Sequence, residues 1–433
     1  MPEPISVAVT CSGALDNIRV PSLRANVVWT LASNFVSAAC QWGMVVSIAK
    51  MGNPVMVGQY ALALAIVAPW MLFSNLQLRA IQATDVRGEF EFGDYLGLRI
   101  LATVVVIGAI VLLVEAGSYQ SATALTILGL MVSKAFEGIS DIFYGFLQQR
   151  ERLDCIARSI ILRMPVSLVF LAFAIHLTHS VFIGTLGLTV VQILVLICYD
   201  IPVSLRVARQ AGTTGNVRPR LRFAPKWRVR ILKRLTWTAL PLGAAMLLIS
   251  LQTNVPRYFI DHYIGVGEVG VFAALAYFLA AGNIVTDAVG QSITPRLAHA
   301  YRNRELSKAR GLLLRLAGLG LVGGGLAVAM GYVAGPRILT LLYRPEYAKY
   351  MNVFLLLLLS AGPTYIASFF GYAMTAARVF WLQLPLSLFS TGTVALACMC
   401  LIPSKGLIGA AEAVLLLSLV RLLATSLVLA KVS

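Results

Sequence analysis

Apolar residues in this chain fall in long unbroken stretches separated by short polar gaps. The pattern predicts helices over 25–49, 57–80, 95–115, 120–146, 159–178, 181–204, 236–260, 268–294, 311–334, 350–376, 380–401 and 406–430. Each stretch is about 20 residues or more, enough to cross ~30 Å of hydrocarbon as a helix. Backbone polar groups in a bilayer must be satisfied within helices or closed barrels. These runs are too long and too uniformly apolar for alternating barrel strands. The expected fold is therefore an all-α polytopic membrane protein with about twelve transmembrane helices. One long polar gap divides six predicted spans from six. The expected organisation is a tail over 1–22, a six-helix bundle over 23–205, a basic linker over 206–234 and a second six-helix bundle over 235–433. No residue-level repeat is evident, but equal halves suggest parallel repeats, a common transporter plan.

Composition sharpens that picture. Only 12% of the 433 residues are charged and the mean hydropathy is +0.83, whereas soluble domains carry roughly 25% charged residues. The net charge of +17 sits mostly in the gaps. The stretch Arg206–Arg234 holds ten Lys or Arg and no Asp or Glu. Such segments stay on the cytoplasmic side, so both termini and the linker are expected inside. The gaps on the other side, with their flanks, carry Lys50, Arg257, Arg337, Arg344, Lys349 and Lys405. The positive charge thus reads as topology, with anionic lipids as a compatible partner, and not as a nucleic-acid footprint. Residues 1–22 lack the basic, apolar and small-residue series of a signal peptide. The six cysteines and four histidines form neither a disulfide framework nor a metal pattern. There is no phosphate-loop motif and no visible catalytic constellation, so a transporter is expected rather than an enzyme. No cofactor is expected, although coupling to H+ or Na+ is compatible with the pattern.

Charges inside apolar spans are costly and usually face a polar cavity. The fourth span carries Lys134, Glu137, Asp141, Tyr144 and Gln148. Spacings of three and four place all five on one helix face. They read either as an ion pair locking helices together or as a cavity-lining stripe, and the two are compatible. In the eighth span Asn283, Asp287 and Gln291 repeat every four residues. Asp287 has no cation at helical spacing, so its partner must come from another helix, a bound cation or a proton. Glu412 in the last span is a further acidic candidate, with hydration near the outer surface as the alternative. The seventh span contains Gln252, Asn254 and Arg257 beside Pro256. Arg257 reads either as a snorkelling anchor or as a guanidinium gripping phosphate oxygens. The first span offers Arg24, Asn26, Asn34 and Gln41, with Arg24 at the cytoplasmic mouth. Prolines in the spans support hinges, and Gly323–Gly325 suggests close helix packing.

The runs NVPRYFI, GVGEVGVFAA and GQSITPRLAHAYRNRE within 251–305, and GNPVMVGQYALALAI after the first span, resemble the bacterial polysaccharide flippases. The resemblance implies the fold of the multidrug, oligosaccharidyl-lipid and polysaccharide exporters, two six-helix bundles forming a V around a central cavity. It implies a lipid-linked oligosaccharide on undecaprenyl diphosphate as cargo, moved from the cytoplasmic to the outer leaflet of the bacterial inner membrane for surface polysaccharide synthesis. A glycan polymerase and export machinery are implied as pathway partners, and the transporter itself is expected to act as a monomer. Carried onto this chain, the resemblance makes Arg257 the diphosphate candidate. Span position adds Lys134 and Arg24. Glu137, Asp141, Asp287 and Glu412 are the ion-coupling or cavity candidates. Asn34, Gln41, Gln252, Asn254, Asn283 and Gln291 are the polar cavity candidates. The competing readings are an ion-coupled multidrug exporter, which calls for an acidic cavity, and a membrane-embedded glycan polymerase or ligase, which calls for a large external loop.

Overall fold

The computed structural model describes residues 22–432 apart from 86–87, 118, 214–222, 304, 378 and 380–381. All regular structure among these residues is helical. The first half comprises α1 (Leu23–Met51), α2 (Pro54–Asn75), α3 (Leu78–Thr84), α4 (Phe92–Ala116), α5 (Ser121–Gln149), α6 (Leu153–Thr178), α7 (Val181–Val195) and α8 (Ile201–Thr213). The second comprises α9 (Val229–Tyr263), α10 (Val266–Arg302), α11 (Leu306–Leu342), α12 (Met351–Leu359), α13 (Ala361–Ala376), α14 (Gln383–Lys405) and α15 (Leu407–Val432). Among the described residues, twelve helical stretches of 23 to 36 residues are long and apolar enough to cross a membrane. The expected tail lies outside the described residues except for Ser22, as does the centre of the linker.

Local chemistry sets the helix starts. Ser22 Oγ caps α1 at Ala25 N, 3.3 Å away. Asn53 Oδ1 caps α2 at Met56 N, 2.9 Å away, with Pro54 as its first residue; both are favoured N-terminal devices. Glu91 and Asp94 cap α4 reciprocally.

The structure departs from the expected spans in three informative places. The second span breaks at Leu76 and Gln77, whose φ angles are 48° and 52°, and resumes as α3. The break turns Arg79 back under α5. In the sixth span a π-helical turn, Leu196–Asp200, joins α7 to α8 and leaves Asp200 buried. The segment 335–349, expected to be an external loop, is mostly helical: α11 runs on to Leu342 and a 3-10 turn spans Pro345–Tyr350.

Helices α1–α8 pack around α2 and α5, and α9–α15 around α13. The halves meet mainly where α2 lies against α9 and α10. Burial along these helices is uneven. In α10, residues 269–275 are buried, whereas Asp287, Gln291 and Ser292 are exposed. In α1, residues 44–45 and 48–49 are buried, while most of 24–39 is at least partly exposed. The α1 and α10 faces therefore meet at one end and diverge toward the other, while α9 stays against α2, forming a V. We call the open side the linker end, because residues 206–213 and 223–234 lie there, and the closed side the far end.

Two glycines close the far end. A side chain at Gly58 would collide with the Val266 carbonyl, its Cβ 2.7 Å from the carbonyl carbon. One at Gly270 would come within 2.6 Å of Gly58 N. Without a hydrophobic drive between helices in lipid, such backbone contact is how membrane helices pack. Trp42 Nε1 donates to Tyr343 Oη at 3.0 Å, and Tyr343 Oη donates to the Ala274 carbonyl at 2.8 Å. Tyr258 Oη donates to the Ala65 carbonyl. Of Gly323–Gly325, Gly324 makes the expected close approach, facing Gly362 on α13.

The end of the linker is docked as a strap. Phe223 inserts among Phe92, Phe143 and Phe146, with ring centroids 4.5–5.7 Å apart. Lys226 N donates to the Gly93 carbonyl at 2.8 Å. Gly93 and Gly97 of α4 leave the groove in which residues 224–226 lie. Lys226 pairs with Glu91, Arg228 with Glu91 and Asp94, and Arg234 with Glu89. The Lys226 hydrogen bond holds the Glu91 carboxyl below its ordinary value. The linker's charge therefore does more than set topology.

Candidate functional site

The face of α5 predicted from spacing is the axis of a polar network inside the first bundle. Lys134 Nζ donates to Glu137 Oε2 at 2.6 Å. Arg163 of α6 approaches Glu137 Oε1 from the other side at 3.5 Å. One turn on, Asp141 lies between Arg79 of α3 and Arg99 of α4, each 3.3 Å away. Arg99 is fully buried and also donates to Asn75 Oδ1. Gln148 accepts from Arg79 Nε at 2.9 Å. Tyr144 and Asp200 share Ser159, at 2.8 and 2.6 Å. Gln192 accepts from Arg163 at 3.0 Å and donates to Ser140 at 3.1 Å.

Burial dictates this pairing. Breaking a buried ion pair by removing one partner costs about 3–5 kcal/mol, because an uncompensated charge is left behind. Four cations, Arg79, Arg99, Lys134 and Arg163, meet three carboxylates, Glu137, Asp141 and Asp200. One cation is in excess among these groups. The least buried cations are Lys134 and Arg79, with side chains 34% and 33% exposed. From Gln148 at the linker end to Lys134 the network runs along about 21 Å of α5. It ties α3, α4, α5 and α6 together and leaves Lys134 and Arg79 partly exposed.

In the second bundle, Arg257 sits on α9 near the closed end. Its Nη1 donates to Asn254 Oδ1 at 3.0 Å. Its buried Nε has no hydrogen-bond partner, and among the described residues no carboxylate lies within ion-pair distance. Tyr277 of α10 is in electrostatic range of both Arg257 and Tyr60, and Tyr60 is in range of Glu137. Tyr277 and Tyr60 therefore lie between Arg257 and the α5 stripe, at the apex of the V. Asn254 Nδ2 is held by the Ser250 carbonyl at 2.9 Å. Gln252 is buried and donates to the Ser387 carbonyl of α14 at 2.9 Å, so it joins helices rather than lining open space.

Asp287 finds its partners on other helices. Tyr372 of α13 donates to it at 3.1 Å, Gln291 also reaches the Tyr372 hydroxyl, and Arg421 of α15 is in electrostatic range. Asn283 Oδ1, one turn earlier, is buried without a partner. Glu412 pairs with Lys405 at 2.7 Å across the α14–α15 turn, a local bridge at the far end, away from the other acids. Arg24 and Asn34 are exposed, and Gln41 donates only to Ser37 at 3.1 Å. The structure thus joins Lys134, Glu137 and Asp141 in one network, places Arg257 apart from it on α9, and leaves Asp287 in a second cluster.

Spacing within α5 did not reveal Arg79, Arg99, Arg163 or Asp200. A usable signal existed for Arg99 and Arg163, each a lone cation several residues into an apolar run. Arg79 and Asp200 depend on the α2–α3 break and the π turn, which hydropathy does not show.

Known proteins share this architecture. A family described as polysaccharide biosynthesis protein matches residues 23–301. The capsular polysaccharide biosynthesis protein CapF of Staphylococcus aureus is 24% identical over 388 residues, 89% of this chain and 94% of CapF. The lipid II flippase MurJ, in an inward closed conformation, superposes with a TM-score of 0.71 at 12% identity, over 93% of this chain and 87% of that one. An inward-facing multidrug resistance MATE family transporter of the MOP superfamily gives 0.62 at 15% identity, over 94% and 95%. The two structural likenesses concern the fold, while the family match spans well over half the sequence: the chain belongs to the polysaccharide biosynthesis protein family.

Proposed function

We propose that this protein is a flippase that moves an undecaprenyl-diphosphate-linked oligosaccharide from the cytoplasmic to the outer leaflet of the bacterial inner membrane, for capsule, O-antigen or exopolysaccharide synthesis. The observation that carries the reading is Arg257, a guanidinium at the apex of a membrane-embedded V with no carboxylate among the described residues to neutralise it. A cation so placed is stabilised by an anionic occupant, and a guanidinium grips phosphate oxygens bidentately. The surplus cation of the α5 network favours the same occupant and disfavours a cationic drug. The MurJ-like fold and the capsule-related relative agree with a lipid-linked glycan.

On this reading the linker end is cytoplasmic, as its charge requires, and both termini lie there. The headgroup enters between the bundles while the polyprenyl chain stays in lipid. Lys134 and Arg79 offer the accessible charges, and Arg257 holds the diphosphate where the bundles meet. Rocking opens the Gly58–Gly270 contact and releases the headgroup on the far side. No covalent bond changes. Asp287, exposed and held by a single tyrosine hydrogen bond, is the proposed site of H+ or Na+ coupling.

The test is deletion of the gene followed by analysis of lipid-linked glycans in each leaflet. The inner-leaflet intermediate should accumulate and surface glycan should fall. Normal display with no accumulation, in a strain lacking redundant transporters, would overturn the proposal. At equal membrane abundance, R257A should lose at least tenfold in transport and R257K should retain part. Full transport by R257A removes Arg257 from the site. D287N should abolish the dependence of transport on the ion gradient; an unchanged dependence rejects the coupling role.

A further inference from the structure

A second site lies at the far end, apart from the central stripe. A cavity of about 490 Å³ opens there between the α1–α2 turn, the first turn of α5, the α6–α7 turn and Arg344, which follows α11 in the second bundle. That volume falls in the range of small-ligand pockets, roughly 300–1,000 Å³, and fits one or two sugar rings. Its lining contains His179 and Arg344 and no Asp or Glu. Arg344 donates one nitrogen, Nη2, to the Lys50 carbonyl at 3.0 Å, and no carboxylate among the described residues pairs with it. Asn53, Gln59 and Ser180 supply neutral polar groups, and Phe182 an apolar face. The Gln59 amide has no hydrogen-bond partner among the described residues. The helices α2, α5 and α7 all begin at this cavity, adding the positive ends of three backbone dipoles to the Arg344 charge.

We propose that this cavity binds a sugar acid, a saccharide bearing a carboxylate. The carboxylate meets the Arg344 guanidinium, for which it is the natural bidentate partner. The ring hydroxyls meet Gln59, Asn53 and Ser180, and the less polar ring face lies on Phe182. A hydroxyl-free anion uses the charge but leaves the amides unpaired, and a neutral sugar does the reverse. Every lining group except Arg344 comes from the first bundle, so a ligand seated here bridges the bundles and favours the closed far end. A ligand shifts a conformational equilibrium only by its differential affinity for the two states, and here the difference is the Arg344 contact. This site extends the proposed function by naming an acidic residue in the exported glycan. Its binding assay needs no transport, so the two can fail separately.

The experiment uses the full-length protein in nanodiscs of zwitterionic lipid, titrated with D-glucuronate, D-glucose and inorganic phosphate. Glucuronate should bind at least tenfold more tightly than either of the others. R344A should weaken glucuronate at least tenfold. Q59A, which leaves the contact between bundles intact, should weaken it severalfold. Spin labels across the far end should report a larger closed population with glucuronate, and R344A should remove that response. Equal affinity for phosphate and glucuronate, unchanged binding in both variants, or loss of glucuronate binding on adding anionic lipid would each overturn the proposal; the last outcome assigns the cavity to a lipid headgroup.

Discussion

Placing a methyl group at Gly58 should unlock the far end without unfolding the protein. The Cβ of G58A would stand 2.7 Å from the Val266 carbonyl carbon and closer still to its oxygen. Favourable contact between carbon atoms lies at about 3.5–4.0 Å, so α2 and α10 must separate by about 1 Å. The obstacle is backbone, and no side chain can rotate away. Overpacking of this kind costs about 1–3 kcal/mol, and here it falls only on the closed arrangement. A shift of about 2 kcal/mol changes the closed-to-open ratio roughly 30-fold, since 1.4 kcal/mol is tenfold. Alanine also favours helix over glycine by about 1 kcal/mol, so α2 itself is not weakened. The assay is electron–electron double resonance between labels at Ala116→Cys and Ser404→Cys, exposed far-end positions in opposite bundles. The exposed native thiols Cys198 and Cys400 and the terminal Cys11 are replaced by Ser. G58A should move the distribution to longer distances, and G270A, facing Pro54 and Gly58, should do the same. A wild-type distance distribution in both variants would refute the role of this contact as the far-end closure.

Two further tests address the strap and the α5 network. Glu91 is held below its ordinary pKa by Lys226. Its contribution to strap docking is therefore complete above the unfolded carboxylate value and is lost as pH falls through the lower folded value. A spin label replacing the exposed Trp227 should stay immobile at pH 7 and become mobile only as pH falls below the reference range of carboxylates; E91Q should raise its mobility at pH 7 and flatten the pH response, and an unchanged label excludes the ion pairs as the anchor. D141N removes the charge shared by Arg79 and Arg99 and should cost about 3 kcal/mol, read as a lower Tm in detergent. Adding R99M should recover part of that loss, whereas a double variant as unstable as the sum of the singles would argue against direct pairing.

The membrane architecture was legible because run length and the placement of positive charge are direct consequences of bilayer physics. Lys134, Glu137 and Asp141 were legible as one face because an unbroken α-helix fixes their spacing. Legibility failed where the helix itself is broken. Arg79 reaches Asp141 only because Leu76 and Gln77 turn the chain, and nothing in hydropathy marks those two residues. Asp287 showed that it needed a partner, but Tyr372 and Arg421 lie on helices whose approach is a tertiary fact. Glu412 and Lys405 are seven residues apart across a turn, and their pairing depends on Gly406 at φ 59°. The docked end of the linker was hidden for another reason: its basic residues satisfy the topology rule so well that no second role was needed to explain them.

That docked end also relocates the joint between the two halves. Residues 223–228 are clamped to α4, and at Gly243 α9 packs against Phe73 and Leu76 of α2. The lower part of α9, through Gly243, thus travels with the first half, although its sequence opens the second. Pro241 and Pro256 interrupt the same helix, and each removes a backbone hydrogen bond where it sits. Helix α9 is therefore a lever, fixed at its base and bendable along its length. Its upper end carries Arg257, so a small bend above Gly243, where Pro256 interrupts the helix, turns that guanidinium at the apex.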